Sequence, residues 1–379
     1  MAEFSPGLEG VVAAETEISE VDGQNGRLIY RGGYLIADLA EASFEEIAYL
    51  LWHGELPDEK QLGELTAELA AHRKLTPAAT AALEALPPDT DPMDVLRTVL
   101  SAQGAHAEVL KPSLEEAIAL TACFPTIVAG AYRRRNGQPS IQPKGQELGH
   151  AANFLYMMTG GEPERDKVRW LEAYLVLLAD HGLNASTFAA RVIASTNSDL
   201  ASAMVGAVAA LKGSAHGGAA TAAMKMLEKI GTADNAESWL RAAMDRKERF
   251  MGFGHRVYRT YDPRAKILRD MAKEANPRFY EVASVTEEWA LRLLHERHPE
   301  RPNATNVDYW SAGVLAGAGI PKEFFTCVFA VSRVVGWTAH VLESLKDLRI
   351  IRPASRWIGP EPHERRLPPI AERGKAAAH

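Results

Sequence analysis

The segment 251–264 reads Met-Gly-Phe-Gly-His-Arg-Val-Tyr-Arg-Thr-Tyr-Asp-Pro-Arg and contains the densest set of groups able to bind or polarise an anion. The glycines beside Phe253 allow a backbone to approach a ligand closely, and His255 follows at once on a constrained turn. From Arg241 to Asp270 nine basic residues stand against four acidic ones. A solvated basic helix face is the alternative, but the adjacent Gly-Phe-Gly-His favours an anion site. As a nucleotide fingerprint the segment is weak, because no predicted strand leads into it and no Gly-Lys-Ser/Thr follows.

A second histidine, His216, lies in Lys-Gly-Ser-Ala-His-Gly-Gly, just before the good helix formers of residues 221–230. The pattern predicts that His216 lies at a helix N-terminus, where the helix dipole disfavours the imidazolium form. A neutral imidazole can donate one N–H to an oxygen that acquires charge. A purely structural histidine at such a turn is the alternative.

An aspartate, Asp308, directly precedes the apolar run that begins at Tyr309. Its first interpretation is a helix N-cap. A capping carboxylate that accepts backbone N–H bonds would also be held ionised, which is the state that a general base requires. Both interpretations stay open on the residues alone.

An arginine, Arg333, lies in the middle of the long apolar helix predicted over residues 321–345. Burying an unpaired guanidinium costs several kcal/mol, so Arg333 needs an anionic partner from the protein or from a ligand. An internal salt bridge is the more ordinary of the two. Arg352 and His181 are individually ambiguous loop residues.

Helix signals dominate the elements that must position these groups. Ser43 with Glu46 and Ser113 with Glu116 have capping-box spacing, and residues 186–211 are apolar enough to predict helices buried nearly all round. Strand signals are weak and confined to residues 11–30. The sequence therefore predicts an all-α fold with a small N-terminal β-hairpin at most.

Composition excludes several classes of protein. The 379 residues are 46% hydrophobic and 24% charged, which excludes a disordered chain and a disulfide-stapled miniprotein. Forty-two basic against 49 acidic residues give a net charge of −7, so we expect no nucleic-acid or membrane partner. Cys123 and Cys327 have no paired-ligand spacing, and the N-terminus lacks the features of a signal peptide. These features predict a cytoplasmic protein with free thiols.

Together these segments resemble the citrate synthase family, from about Gly7 to about Ile358. The stretch from Gly252 to Arg264 matches the family signature at every constrained position. The resemblance implies that His216 binds the acetyl-CoA thioester oxygen, His255 faces the oxaloacetate carbonyl and Asp308 is the catalytic base. The implied substrate-carboxylate ligands are His181, Arg264, Arg333 and Arg352, the last reaching across a dimer interface. The implied coenzyme A contacts are the backbone of Phe250, Met251, Gly252, Phe253 and Gly254 for the adenine, Arg259 for the phosphates, and Arg301.

The resemblance also implies an architecture and its partners. Residues 1–212 and 321–379 would form a large helical domain, and residues 213–320 a small one. Acetyl-CoA and oxaloacetate would be substrates of a homodimer, with no resident cofactor and no metal. Gly182 and Ser214-Ala215 replace residues common in the family, Glu and Pro-Leu, and could alter the shape of the pocket. The chain is shorter than the NADH-regulated relatives with an extra N-terminal domain, so we expect no such regulation.

Other functions fit parts of the sequence. A 2-methylcitrate synthase, which condenses propionyl-CoA with oxaloacetate, differs by one methylene in its acyl substrate, and a few pocket residues would decide between the two. A metal-dependent hydrolase could use histidines 150, 181, 216, 255 and 340, although none forms a His-Glu-x-x-His pair. A catalytically silent ligand-binding relative is a third class, and the retention of all three implied catalytic groups argues against it.

Overall fold

Helices make up most of the structure. The computed structural model describes residues 4–105, 111–254, 257–359 and 369–372. Within those residues the α-helices are α1 Phe44–His53, α2 Glu59–Ala71, α3 Pro77–Ala85, α4 Pro92–Gln103, α5 Leu114–Arg135, α6 His150–Thr159, α7 Arg165–Leu178, α8 Ala185–Ala194, α9 Leu200–Leu211, α10 Ala219–Ile230, α11 Ala236–Asp245, α12 Pro263–Ala275, α13 Pro277–Arg297, α14 Val307–Gly317 and α15 Phe325–Ser344. The all-α prediction is confirmed.

A small antiparallel sheet precedes the helices. Its strands are β1 Ser19–Asp22, β2 Arg27–Tyr30 and β3 Tyr34–Leu35, in the order β1-β2-β3. The predicted hairpin is therefore present, and the two-residue β3 extends it. Its turn contacts a distant loop, because the Arg259 backbone N–H donates to the Gly23 carbonyl over 2.8 Å.

Local capping sets where several helices begin. At α1 the predicted capping box is complete: Ser43 Oγ accepts from Glu46 N, and a Glu46 carboxylate oxygen accepts from Ser43 N over 2.7 Å. At α5 only half of it forms, since Ser113 Oγ accepts from Glu116 N but the Glu116 carboxylate lies near Asp199. Burial and, to a smaller extent, the charge of Asp199 together raise the pKa of Glu116 to about 7.

Two helices, α5 and α15, form the centre of the core. Both are long and apolar enough to cross a membrane by length and composition. However, 72% of the most apolar stretch of α5 and 89% of that of α15 are buried inside the protein. Such burial is typical of the core helices of a globular domain. On α15 Trp337 and Arg333 are both buried, so a charged residue lies at the heart of an apolar helix.

The segment before β1 contacts the end of α15. The Glu17 backbone N–H donates to Glu343 Oε1 over 2.7 Å. Helices α11 and α13 share a second, smaller apolar cluster that includes Leu240, Phe250 and Leu293.

Candidate active site

Asp308 is the second residue of α14, and Asn306 is the N-cap. Asn306 Oδ1 accepts from the Asp308 backbone N–H over 3.2 Å. The N-cap interpretation of Asp308 was therefore wrong, and its carboxylate is available for other chemistry. Burial raises the pKa of Asp308 to about 6, while Arg264 and Arg333 oppose that rise. This is the reverse of the expected stabilisation of the ionised form by capping, but it brings the pKa of the carboxylate closer to that of a weak carbon acid.

The glycine-rich segment fixes the start of α14. Asn306 N donates to Gly252 O over 3.0 Å, Gly254 N donates to Ala304 O over 2.8 Å, and Asn306 Nδ2 donates to Gly254 O over 3.0 Å. Gly252 has a φ of 89°, and a Cβ there would lie 2.6 Å from Tyr309 Cβ. Only glycine fits this approach, so the segment holds the helix end that carries Asp308.

His216 lies in the turn before α10, two residues ahead of the N-cap Gly218. Its Nε2 is 2.9 Å from Ser186 Oγ. Burial and, to a smaller extent, the charge of Arg333 together lower the pKa of His216 to about 4. The imidazole is therefore neutral near pH 7, as predicted, and burial is the largest cause.

Arg264 is buried at the start of α12 and forms an internal ion pair. Its Nε donates to Asp262 Oδ1 over 3.0 Å and its Nη2 to Asp262 Oδ2 over 2.8 Å. Asp262 is also the N-cap of α12. Burial disfavours the charged guanidinium, but this bidentate pairing outweighs it and holds the pKa of Arg264 above its ordinary value. Two of the five guanidinium N–H groups are used in this way, and three remain.

Arg333 is equally buried and is paired differently. Its Nε donates to the Leu178 carbonyl over 2.7 Å, and its guanidinium carbon lies 4.7 Å from the centre of the Phe329 ring. Among the described residues no carboxylate lies within 4.0 Å of it, so the expected salt bridge is not formed there. Burial accordingly lowers the pKa of Arg333, and Asp180 is the main group that opposes this.

His181, the remaining predicted keto-acid ligand that the structure describes outside the exposed arginines, lies on the turn that follows α7. Its Nε2 is 3.3 Å from the Tyr258 hydroxyl. Arg333 lies within electrostatic range of both His216 and Asp308, and Arg264 lies within electrostatic range of Asp308. A base, a neutral imidazole and two guanidinium groups can together remove a proton, stabilise an oxyanion and hold a dianion.

The remaining predicted residues lie elsewhere or are not described. His255 lies outside the described residues. Arg352 is exposed in the segment after α15, Arg259 is exposed, and Arg301 is exposed beside Glu300. The structure does not bring these three arginines to Asp308.

Part of the segment predicted to bind coenzyme A, residues 250–254, instead makes contacts within the protein. Phe250 is buried in the apolar cluster of α11 and α13, and the backbones of Gly252 and Gly254 bond to Ala304 and Asn306. Met251 is half-buried, and Phe253 packs its ring 4.9 Å from that of Tyr309.

Sequence reasoning missed the groups that hold His216. Ser186 Oγ accepts from Trp337 Nε1 over 3.0 Å and lies 2.7 Å from Asn184 Oδ1. Asn-Ala-Ser-Thr does signal an N-cap, and Asn184 caps α8 as that signal predicts. Nothing local indicates that this helix end meets His216, which is thirty residues away.

A metal site is not supported by the described part of the chain. There, no group of three His, Cys, Asp or Glu side chains is placed to hold a metal ion. Of the histidines proposed for a hydrolase, His150 stacks on Phe44, His216 lies beside Ser186 and His340 lies next to Asp180.

Comparison with known proteins identifies similar chains. Residues 7–354 match the family model described as citrate synthase, C-terminal domain. A citrate synthase of Haloferax volcanii is 44% identical over 94% of this chain and 96% of its own length. A 2-methylcitrate synthase of Mycobacterium tuberculosis is 41% identical over 97% of this chain and 93% of its own length. The citrate synthase of Thermoplasma acidophilum, solved as a ternary complex with carboxymethyl coenzyme A and oxaloacetate, superposes with a TM-score of 0.91 at 34% identity over 98% of this chain and all of its own.

Proposed function

Because this chain belongs to the citrate synthase family, we propose that the neighbourhood of Asp308, His216, Arg264 and Arg333 is where it joins acetyl-CoA to oxaloacetate. The activity is that of an acyltransferase which condenses the two substrates and hydrolyses citryl-CoA to citrate and coenzyme A. One observation supports this site above all. A buried arginine without a carboxylate partner among the described residues lies within electrostatic range of a neutral histidine and an aspartate.

Asp308 would act as the base in the first step. The methyl group of a thioester is an acid many pKa units weaker than a carboxylic acid, at about 1.4 kcal/mol per unit. Asp308 therefore cannot form the enolate unaided, even with its pKa raised to about 6. Stabilisation of the developing oxyanion must supply the rest.

His216 would supply it as a neutral hydrogen-bond donor. For Nδ1 to carry the proton that meets the thioester oxygen, Nε2 must accept a hydrogen bond. Trp337 Nε1 can only donate to Ser186 Oγ, so the Ser186 hydroxyl is free to donate either to Asn184 Oδ1 or to His216 Nε2. In the structure the hydroxyl donates to Asn184 Oδ1. A turn of the hydroxyl toward His216 would select the tautomer that the reaction needs, and Ser186 would then be a positioning residue.

Arg264, Arg333 and His181 would hold the oxaloacetate dianion. Arg264 keeps three N–H groups beyond its pairing with Asp262, and Arg333 keeps four beyond its bond to Leu178. Guanidinium groups bind carboxylates in bidentate fashion, which fixes both the position and the face of the ketone. His255 would polarise the ketone oxygen, a role that rests on the family resemblance.

Coenzyme A binding and dimerisation belong to the same proposal. The backbone of residues 250–254, with Arg259 and Arg301, would meet coenzyme A, and Arg352 would enter the site of a partner subunit. The segment that carries Arg352 supports a dimer, because Ile350 and Ile358 are 64% and 91% exposed there, as apolar side chains of a subunit interface are in a single chain. The two buried free cysteines fit a reducing cytoplasm.

Closure of a small domain, residues 213–320, over the rest of the chain would complete the site. His216 and Asp308 lie in that proposed domain, whereas His181 and Arg333 lie outside it. Closure would bring the acetyl-CoA groups onto the bound keto acid and exclude water during enolisation.

The direct test is release of coenzyme A. With acetyl-CoA and oxaloacetate together, we expect free thiol to appear and citrate to be identified by mass spectrometry. Release that does not depend on oxaloacetate would instead favour a hydrolase.

Propionyl-CoA defines the second candidate, which the similarity to a 2-methylcitrate synthase supports. One methylene changes specificity by about 1–3 kcal/mol, so kcat/KM measured with each acyl-CoA separates the two activities. A higher kcat/KM with propionyl-CoA would assign the chain to 2-methylcitrate synthesis.

A further inference from the structure

The buried carboxylate of Asp180 accepts a hydrogen bond from the backbone of the turn that carries His181. Asp180 is completely buried, and its Oδ2 accepts from the Ser19 hydroxyl and from the Gly182 backbone N–H, the latter over 2.9 Å. Its Oδ1 lies 3.4 Å from His340 Nε2. Burial alone would raise the pKa of Asp180, but His340, Arg333 and Ser19 together hold it below its ordinary value. The carboxylate is therefore a buried anion.

His340 connects this carboxylate to α15. It lies seven residues after Arg333, which at 3.6 residues per turn places both side chains on the same face of the helix. His340 Nδ1 is 3.2 Å from Arg191 Nη1, which can only donate. Nδ1 must therefore accept, and the proton lies on Nε2, facing Asp180. Arg191 is in turn paired with Glu343 over 2.9 Å.

The turn and the helix also touch through their backbones. A Cβ on Gly336 would lie 2.4 Å from both Ala179 O and Asp180 Oδ1. One helical turn earlier, Arg333 donates to the carbonyl of Leu178. The position of the arginine and the position of the turn therefore depend on each other.

We propose that His340 is a positioning residue for keto-acid binding, which keeps the Asp180 carboxylate from becoming the salt-bridge partner of Arg333. Asp180 is the anion that most strongly favours the charged form of Arg333. Asp180 Oδ1 makes no hydrogen bond of good geometry, and the N–H of His340, 3.4 Å away, compensates it only electrostatically. Without that N–H, the nearest remedy for this buried oxygen is a direct bond to the guanidinium. That bond would compete with the substrate carboxylate and would shift the turn that bears His181. This inference rests on the proposed binding of oxaloacetate by Arg333.

Three variants test the proposal. His340→Leu removes both ring nitrogens, His340→Gln retains one donor and one acceptor, and Thr338→Val is the control, because it removes a buried hydrogen bond on the same helix, from Trp52 Nε1. Kinetic constants are measured separately for oxaloacetate and acetyl-CoA, together with the melting temperature. We expect His340→Leu to raise KM for oxaloacetate about tenfold or more, equivalent to about 1.4 kcal/mol, with KM for acetyl-CoA unchanged and kcat less affected.

His340→Gln should restore the oxaloacetate KM to near the wild-type value, and Thr338→Val should lower stability alone. Should His340→Leu fold poorly, Ser19→Ala removes the other side-chain contact of Asp180 and should raise the same KM. A fall in melting temperature with the oxaloacetate KM unchanged, or an equal rise in KM for Thr338→Val, would overturn the proposal. Failure of the proposed function would appear differently, as a wild-type protein that does not consume oxaloacetate.

Discussion

Arg264 at the start of α12 and Arg333 in the middle of α15 are both buried, and their charges are compensated in different ways. Arg264 is paired with Asp262, two residues before it in the sequence, and its pKa is held high. Arg333 has a backbone carbonyl and an aromatic ring, and its pKa is lowered. The first charge is already compensated by the protein, whereas the second would gain most from an incoming anion. Both guanidinium groups are proposed to bind the keto acid, but their unequal compensation predicts that only the loss of Arg264 also costs much stability.

The largest expected effect on activity comes from Asp308, whose ionised carboxylate both arginines stabilise. Asp308→Asn should lower kcat by about 10²–10⁴-fold, the range of a lost general base, while leaving oxaloacetate affinity intact. Steady-state kinetics measure kcat, and isothermal titration calorimetry with oxaloacetate measures the affinity. Near-normal turnover would reduce Asp308 to a structural residue of α14.

Breaking the paired arginine should cost stability. Arg264→Leu leaves Asp262 as an unpaired buried carboxylate, and we expect a loss of about 3–5 kcal/mol in the free energy of unfolding, measured by urea denaturation. Adding Asp262→Asn removes that charge while keeping a capping side chain, so the double variant should recover much of the loss. If the double variant is no more stable than the single one, the ion pair is not what holds this helix end.

Removing the unpaired arginine should cost affinity instead. Arg333→Leu breaks no ion pair among the described residues and relieves a desolvated charge, so unfolding should change much less than for Arg264→Leu. Oxaloacetate should then no longer raise the melting temperature, because the ligand has lost its main guanidinium partner. A variant that is destabilised as much as Arg264→Leu, yet binds oxaloacetate normally, would remove the distinction between the two arginines.

The smallest effect concerns pH. Because the pKa of Asp308 is raised to about 6, kcat/KM should fall as the pH drops through about 6, rather than near the ordinary value for aspartate. The raised pKa also means that the folded protein holds this proton more tightly than the unfolded chain, so the stability due to protonated Asp308 is lost as the pH rises through 6. Asp308→Asn should therefore gain stability relative to wild type above pH 6 and match it near pH 4. An acid limb near 4 would contradict the burial of the carboxylate.

The sequence indicated which side chains carry unusual chemistry more reliably than it indicated which residues they contact. Helical periodicity and capping signals were sufficient for the all-α fold. The neutral state of His216 was predicted from its position before a helix, but its largest cause is burial. The role of Asp308 as an N-cap and the salt bridge of Arg333 were wrong, because Asn306 captures the helix end and the burial of Arg333 is offset by a carbonyl and a ring. Contacts such as Ser186 with His216 and Asp180 with His340 arise only when distant segments pack, and no local pattern encodes them.

The hydrogen bond between Glu17 and Glu343 joins positions 326 residues apart, so the N-terminal segment waits for its partner until almost the whole chain exists. A polypeptide leaves the ribosome N-terminus first, and contacts of long sequence separation form slowly. The native arrangement around α15 is therefore completed only after α15 itself has been synthesised. During that interval the apolar faces of the early helices are exposed, and chaperones that shield them should raise the yield of active enzyme.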